Sequence, residues 1–132
     1  MRVLVTGGAG FIGSTVARRL LADGHEVTIF DNLETGKLGN VPAGVPLIQA
    51  DIRDEAAVRS ACVGHELVIH QAAMVSVSLS TVEPQRCFDI NVSGTRNVLA
   101  AAGRAGCRRL VLASSAAVYG DEPTLPKRED LP

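Results

Sequence analysis

The chain predicts an α/β fold in which a doubly wound parallel sheet of about five strands, in the order 3-2-1-4-5, is flanked by helices on both faces. Three observations carry this. An apolar run at the N-terminus breaks at spaced glycines and resumes as a helix pattern; the next β-rich run closes on an aspartate; and strands and helices keep alternating as far as Ala113. Such alternation requires right-handed crossovers, and it places a ligand crevice at the carboxyl ends of the first and fourth strands.

The first element is the run from Val3 through Thr6, followed by Gly7-Gly8-Ala9-Gly10-Phe11-Ile12-Gly13. Gly7 serves a tight turn out of the strand, Gly10 lets a ligand's phosphates approach the backbone, and Gly13 allows close packing of helix on strand. The Gly-x-x-Gly-x-x-Gly spacing meets the general dinucleotide fingerprint only loosely, and glycines also mark ordinary strand-to-helix turns. Strand, glycines and helix nevertheless occur in the order that a Rossmann-type dinucleotide turn requires. Ile12, Val16, Leu20 and Leu21 recur at helical spacing, and Asp23-Gly24 supplies a stop.

Glu26 to Phe30 forms the second strand and ends in Asp31-Asn32. A carboxylate about 20 residues beyond the last glycine can accept both hydroxyls of an adenosine ribose. Asp31 therefore favours NAD over NADP, because a 2′-phosphate would meet a negative charge; the competing role is that of a solvated turn aspartate. Gly36, Gly39, Pro42, Gly44 and Pro46 make Leu33 to Pro46 a loop. Val45 to Ala50 is the third strand, closing on Asp51-Ile52. Asp54 caps a helix through Ala56, Val58 and Ala61 that stops near Gly64, and Leu67 to His70 is the fourth strand. A long helix is predicted from Pro84 to Ala102, with Phe88, Val92 and Leu99 on an apolar side and Gly103 and Gly106 ending it. Arg109 to Ala113 is the fifth strand.

A net charge of -1 and 46% hydrophobic residues describe one globular unit of 132 residues and exclude a disordered or polyionic chain. Nothing is basic enough for nucleic acid, and no apolar run reaches the length of a membrane span. Met1-Arg2 followed directly by a strand is not a signal peptide. Cys62, Cys87 and Cys107 are scattered, without paired spacing, so no metal site or disulfide framework is expected. They read as reduced thiols of a cytoplasmic chain.

Thr6 to Gly13, Asp31-Asn32, Asp51-Ile52-Arg53, His70-Gln71-Ala72-Ala73, Asn91-Val92-Ser93-Gly94-Thr95 and Ser114-Ser115-Ala116-Ala117-Val118-Tyr119-Gly120 occur in register. Together they make the chain resemble the extended short-chain dehydrogenase/reductases, and within them the UDP-glucose 4-epimerases. The resemblance implies that Gly7, Gly10, Phe11, Ile12 and Gly13 hold a pyrophosphate, Asp31 and Asn32 the adenosine ribose, and Asp51 with Ile52 the adenine. It further implies that Ala72 and Ala73 line the NAD crevice, that Asn91 fixes the helix beside it, and that Ser114 lies near the cofactor. Physical chemistry agrees that Asp51 can accept from the adenine amine, although it could instead cap the next helix. His70 reads as a hydrogen-bonded core residue rather than a catalyst, and Asn91, a poor helix former, suits a structural hydrogen bond as well as a ligand contact.

In the resembled enzymes a serine after the fifth strand and the tyrosine of a Tyr-x-x-x-Lys helix converge on the sugar C4 hydroxyl, while NAD takes the hydride. Ser115 matches that serine. The sole tyrosine, Tyr119, has Pro123 four positions on and is not the catalytic base. Residues 1–132 are thus expected to be an NAD-binding Rossmann domain cut before the Tyr-x-x-x-Lys helix, lacking a substrate domain and inactive alone, with a UDP-sugar bound only in a longer form. A dinucleotide-binding or regulatory module, and a UDP-glucuronate epimerase or decarboxylase, remain open alternatives. Ser115-Ala116-Ala117 argues against a dTDP-glucose 4,6-dehydratase, which would carry an Asp-Glu pair there, and Val75 stands where some epimerases place a pyrophosphate-contacting lysine. The edge of the fifth strand and a face of the long helix are expected to be exposed and to drive homo-oligomerisation.

Overall fold

A computed structural model describes residues 1–131. The strands are β1 (Arg2–Thr6), β2 (Glu26–Asp31), β3 (Leu47–Gln49), β4 (Leu67–His70) and β5 (Arg109–Leu112). They form one parallel Rossmann-type sheet in the order β3-β2-β1-β4-β5. Register sets Thr6 level with Phe30 on one side and His70 on the other, so the carboxyl ends of the three central strands open together.

Alternation along β1 divides the core in two. Val3 and Val5 join Ala17, Val27, Ile29 and Ile69 under α1 (Phe11–Ala22), whereas Leu4 joins Phe30 and Val68 against α2 (Glu55–Cys62) on the other face. With both faces covered, β1 reads as a continuous apolar run, as a central parallel strand must. Each buried Val or Leu side chain contributes about 1.5–3 kcal/mol. Asp54 caps α2 as expected, accepting the Ala56 and Ala57 N–H groups at 3.0 Å each.

Three local expectations change. The helix predicted from Pro84 to Ala102 is continuous in path but divided: α4 (Pro84–Phe88) passes into a π turn, Asp89–Gly94, and then into a regular helix, Thr95–Arg104, with Gly103 inside its last turn. Ser76 caps a short helix that the apolar pattern does not announce, α3 (Val77–Val82), which precedes α4; the Thr95–Arg104 segment is therefore α5. The third strand starts after Pro46, whose ring removes a ladder donor, and not at Val45. Within α5 the buried face is Val98, Ala101 and Ala102, while Phe88, Val92 and Leu99 lie about half exposed along one side. Val111 and Leu112 of the edge strand β5 are exposed as well. Among the described residues, no helix is long and apolar enough to cross a membrane, and no group of three metal-ligating side chains converges.

Candidate functional site

A cleft of about 940 Å³ opens at the carboxyl ends of β1 and β4. Its wall includes every residue predicted for the site: the turn and first helical residues Gly7, Gly10, Phe11, Ile12 and Gly13; Asp31 and Asn32 after β2; Asp51 and Ile52 after β3; Ala72, Ala73 and Asn91; and Ser114 and Ser115 after β5. Strand order brings these distant segments together, since β1 lies between β2 and β4 at the switch point of the sheet.

The glycine turn is tightly built. Gly7 has φ +67°, and a Cβ there would lie 2.6 Å from the Ala72 nitrogen, so the turn sits directly on the loop leaving β4. A Cβ at Gly13 would lie 2.1 Å from the Gly7 carbonyl oxygen. Gly10 meets only that same oxygen, at 3.2 Å, and its outer side is open. Helix α1 begins at Gly10 with no side-chain cap and no acidic residue in its first turn. Its first intrahelical bond is donated by Ser14 to Gly10 O at 3.0 Å, which leaves the N–H groups of Phe11, Ile12 and Gly13 without helical acceptors at the positive end of the dipole. A cradle of this kind suits the pyrophosphate of a dinucleotide.

Asp31 is 7% exposed and ties the turn to the next loop: Oδ2 accepts from Ala9 N at 2.9 Å and Oδ1 from Leu33 N at 2.8 Å. Leu33 is held at φ +59°, a left-handed conformation that these bonds and the Glu34 N–H to Asn32 Oδ1 bond (3.0 Å) maintain. Asn32 Nδ2 donates to Asp51 Oδ2 at 3.0 Å. Asp51 is no helix cap; Arg53 grips it through Nε and Nη2 at 2.9 and 2.8 Å. That guanidinium is the main reason its carboxyl is held down at about 2. Ile52 turns its side chain into the core, into the space left by the missing Cβ of Gly94, and its carbonyl accepts from Asn97 Nδ2 at 3.1 Å.

His70 is 1% exposed and sits under the cleft floor, with Nδ1 2.5 Å from Thr6 Oγ1 and Nε2 3.0 Å from Thr95 Oγ1. Thr6 Oγ1 also accepts from Ala72 N at 3.4 Å, so the Thr6 hydroxyl ties the histidine to the loop leaving β4. Burial depresses the imidazole pKa to about 4, so the ring is neutral, as a structural core histidine should be. Asn91 clamps the loop after β4 from the π turn: Oδ1 accepts from Met74 N at 2.8 Å and Nδ2 donates to Met74 O at 3.0 Å. Ser115 Oγ accepts from Ala117 N at 3.2 Å and opens a 3₁₀ turn, Ala116–Tyr119.

Residues 3–132 match the model of the NAD dependent epimerase/dehydratase family. The chain belongs to this family. It is 43% identical to a UDP-glucose 4-epimerase of Streptomyces lividans, over 99% of this chain and 41% of that protein. A UDP-glucose 4-epimerase of Klebsiella pneumoniae is 41% identical, over 96% of this chain and 97% of that protein. The crystal structure of the Thermus thermophilus UDP-glucose 4-epimerase in complex with NAD superposes with a TM-score of 0.89 at 45% identity, covering 98% of this chain and 43% of that one. The Thermotoga maritima UDP-glucose 4-epimerase with UDP-glucose gives 0.89 at 34% identity, covering 95% of this chain and 41% of that one. The chain therefore spans well under half the length of three of these four relatives.

Within this epimerase/dehydratase-family chain, Tyr119 does not line the cleft; its ring lies under Lys127 Nζ, 5.9 Å from the centroid. Sequence patterns assign no role to Thr6, Thr95, Glu34 or Arg86. A threonine directly before the first glycine is the available signal for Thr6. The other three act through partners far away in the chain, for which no local pattern exists.

Proposed function

We propose that residues 1–132 form an NAD-binding Rossmann domain and the cofactor half of a nucleotide-sugar epimerase of the UDP-glucose 4-epimerase type. The observation that carries this reading is the single cleft that gathers the uncapped α1 N-terminus, the bonded Asp31 carboxylate and Ser115. When bound, NAD supplies a hydride acceptor for the sugar C4. The free amides of Phe11, Ile12 and Gly13 hold the pyrophosphate, while Gly7 and Gly10, whose own N–H groups bond Phe30 O and Gly7 O, shape the turn that lets it approach the backbone. Asp31, with lone pairs left beyond its two amide bonds, accepts the ribose hydroxyls together with Asn32. Asp51 and Ile52 face the adenine, Ala72 and Ala73 let the cofactor lie flat against the β4 end, and Asn91 keeps that wall in place. Ser114 lies near the cofactor, and the Ser115 hydroxyl hydrogen-bonds the C4 oxygen of a UDP-sugar.

Residues 1–132 contain no Tyr-x-x-x-Lys pair, so they bind the cofactor without a base to take the C4 proton. The same absence supports a second reading, a binding or regulatory module without catalysis. Val75, 87% exposed in the cleft wall where some epimerases carry a lysine, keeps UDP-glucuronate epimerases and decarboxylases among the candidate substrate classes. The exposed side of α4 to α5 and the open edge of β5 support self-association, and three free thiols suit a cytoplasmic setting. The test is titration calorimetry of the purified chain with NAD and NADH alongside an epimerase assay with UDP-glucose and UDP-galactose. Binding without turnover is expected; absence of binding refutes the reading, and robust epimerisation refutes its claim of inactivity.

A further inference from the structure

The charged residues that line the cleft are Asp31, Glu34 and Asp51, and among the described residues no lysine or arginine lines it. A site for a doubly anionic pyrophosphate thus presents three carboxylates and no side-chain cation. The backbone N–H groups and the dipole of α1 can meet the pyrophosphate charge at one end, but nothing at the adenosine end offers positive charge to a further phosphate.

Two guanidinium groups stand just behind that end, and both are occupied. Arg53 is spent bidentately on Asp51. Arg86 of α4 gives Nη1 to Glu83 at 2.9 Å and Nη2 to Glu34. Asn32 Nδ2 links the two pairs, bonding Asp51 at 3.0 Å and reaching Glu34 Oε2 at 3.5 Å. Glu34 itself is set by the Leu33 turn, whose amides are fixed by Asp31 and Asn32. Glu34 therefore shares one tight turn with the ribose-accepting carboxylate and lines the same cleft.

Building on the NAD reading, we propose that Glu34 is a second coenzyme-selectivity residue. Its carboxylate disfavours a 2′-phosphate on the adenosine ribose, and by engaging Arg86 it withholds the guanidinium that such a phosphate would otherwise recruit. Asp31 alone would exclude the phosphate by repulsion; Glu34 also removes the available counter-charge.

Calorimetric titration of wild type, E34Q and E34Q/R86Q with NAD and NADP at low and high salt tests this. E34Q is expected to improve NADP affinity relative to NAD by about two- to fivefold, the size of a partly exposed charge interaction, with the gain shrinking at high salt. The double variant should keep less of that gain, because the repulsion is still relieved but the guanidinium is gone. An unchanged NADP-to-NAD ratio in E34Q, or an equal gain in E34Q/R86Q, overturns the assignment while leaving the NAD reading intact. A wild-type chain that binds neither coenzyme overturns both.

Discussion

Replacing Gly13 by alanine tests the geometry that builds the cofactor cleft. The added Cβ would lie 2.1 Å from Gly7 O, 2.8 Å from Gly7 C and 2.9 Å from Gly8 Cα, all backbone atoms. The turn cannot yield, because Gly7 N donates to Phe30 O at 2.8 Å and Gly7 is pressed against the Ala72 backbone on its other side. Relief must come from α1 moving off the sheet by about 1 Å, which loosens Ala17 from Val3 and Val5. Overpacking of this kind costs about 1–3 kcal/mol, and backbone clashes place G13A at the upper end even after alanine's helix preference is credited. A net loss of about 2 kcal/mol corresponds to a Tm drop of about 8 °C for a domain of this size. Urea and thermal unfolding followed by circular dichroism measure it, with G103A as the control. Gly103 lies in α5, and a methyl added there meets no atom within 4 Å, so alanine should stabilise by up to about 1 kcal/mol. If G13A unfolds within about 0.5 kcal/mol of wild type and binds NAD equally well, the close helix-strand contact is not what shapes the turn.

D31N can accept only one of the two amide bonds now made to Ala9 and Leu33; it should lose about 1–3 kcal/mol of stability and bind NAD more weakly, measured by urea unfolding and calorimetry. His70 has a folded pKa of about 4 against an ordinary value of 6.5, so the unfolded chain binds its proton first. Its contribution is therefore full above pH 6.5 and falls by about 3 kcal/mol as pH drops to 4, a slope that denaturant titrations at stepped pH should show and that H70N should flatten. Asp51, held at about 2, weakens the fold only below that window. N91A removes both bonds to the Met74 backbone, and hydrogen exchange at the Met74 amide should accelerate at least about tenfold as the loop after β4 loosens. Sedimentation should show concentration-dependent association that V92E/L99E abolishes; a wild-type chain that stays monomeric at high concentration contradicts the role given to that face.

Local rules made much of this protein readable from its residues. The apolar period, the Asp54 cap and the glycine spacing depend on near neighbours in the chain, and they located α1, α2, β2, β4 and the turn to within a residue or two. Every residue named for the site does line the cleft, because parallel α/β sheets collect the carboxyl ends of their strands in one place. The π turn was not legible: the contacts made within it, the bonds of Asn91 to the Met74 backbone and the Ile52 side chain in the space at Gly94, leave no periodic trace. The same limit hid the Thr6–His70–Thr95 bonds and the Glu34–Arg86 pair, whose members are 52 residues apart. Sequence alone thus determined which segments turn, cap and alternate, and from them the family of the site. Tertiary structure decided which polar groups meet, because burial, charge pairing and proton placement depend on distances between residues that the chain itself keeps far apart.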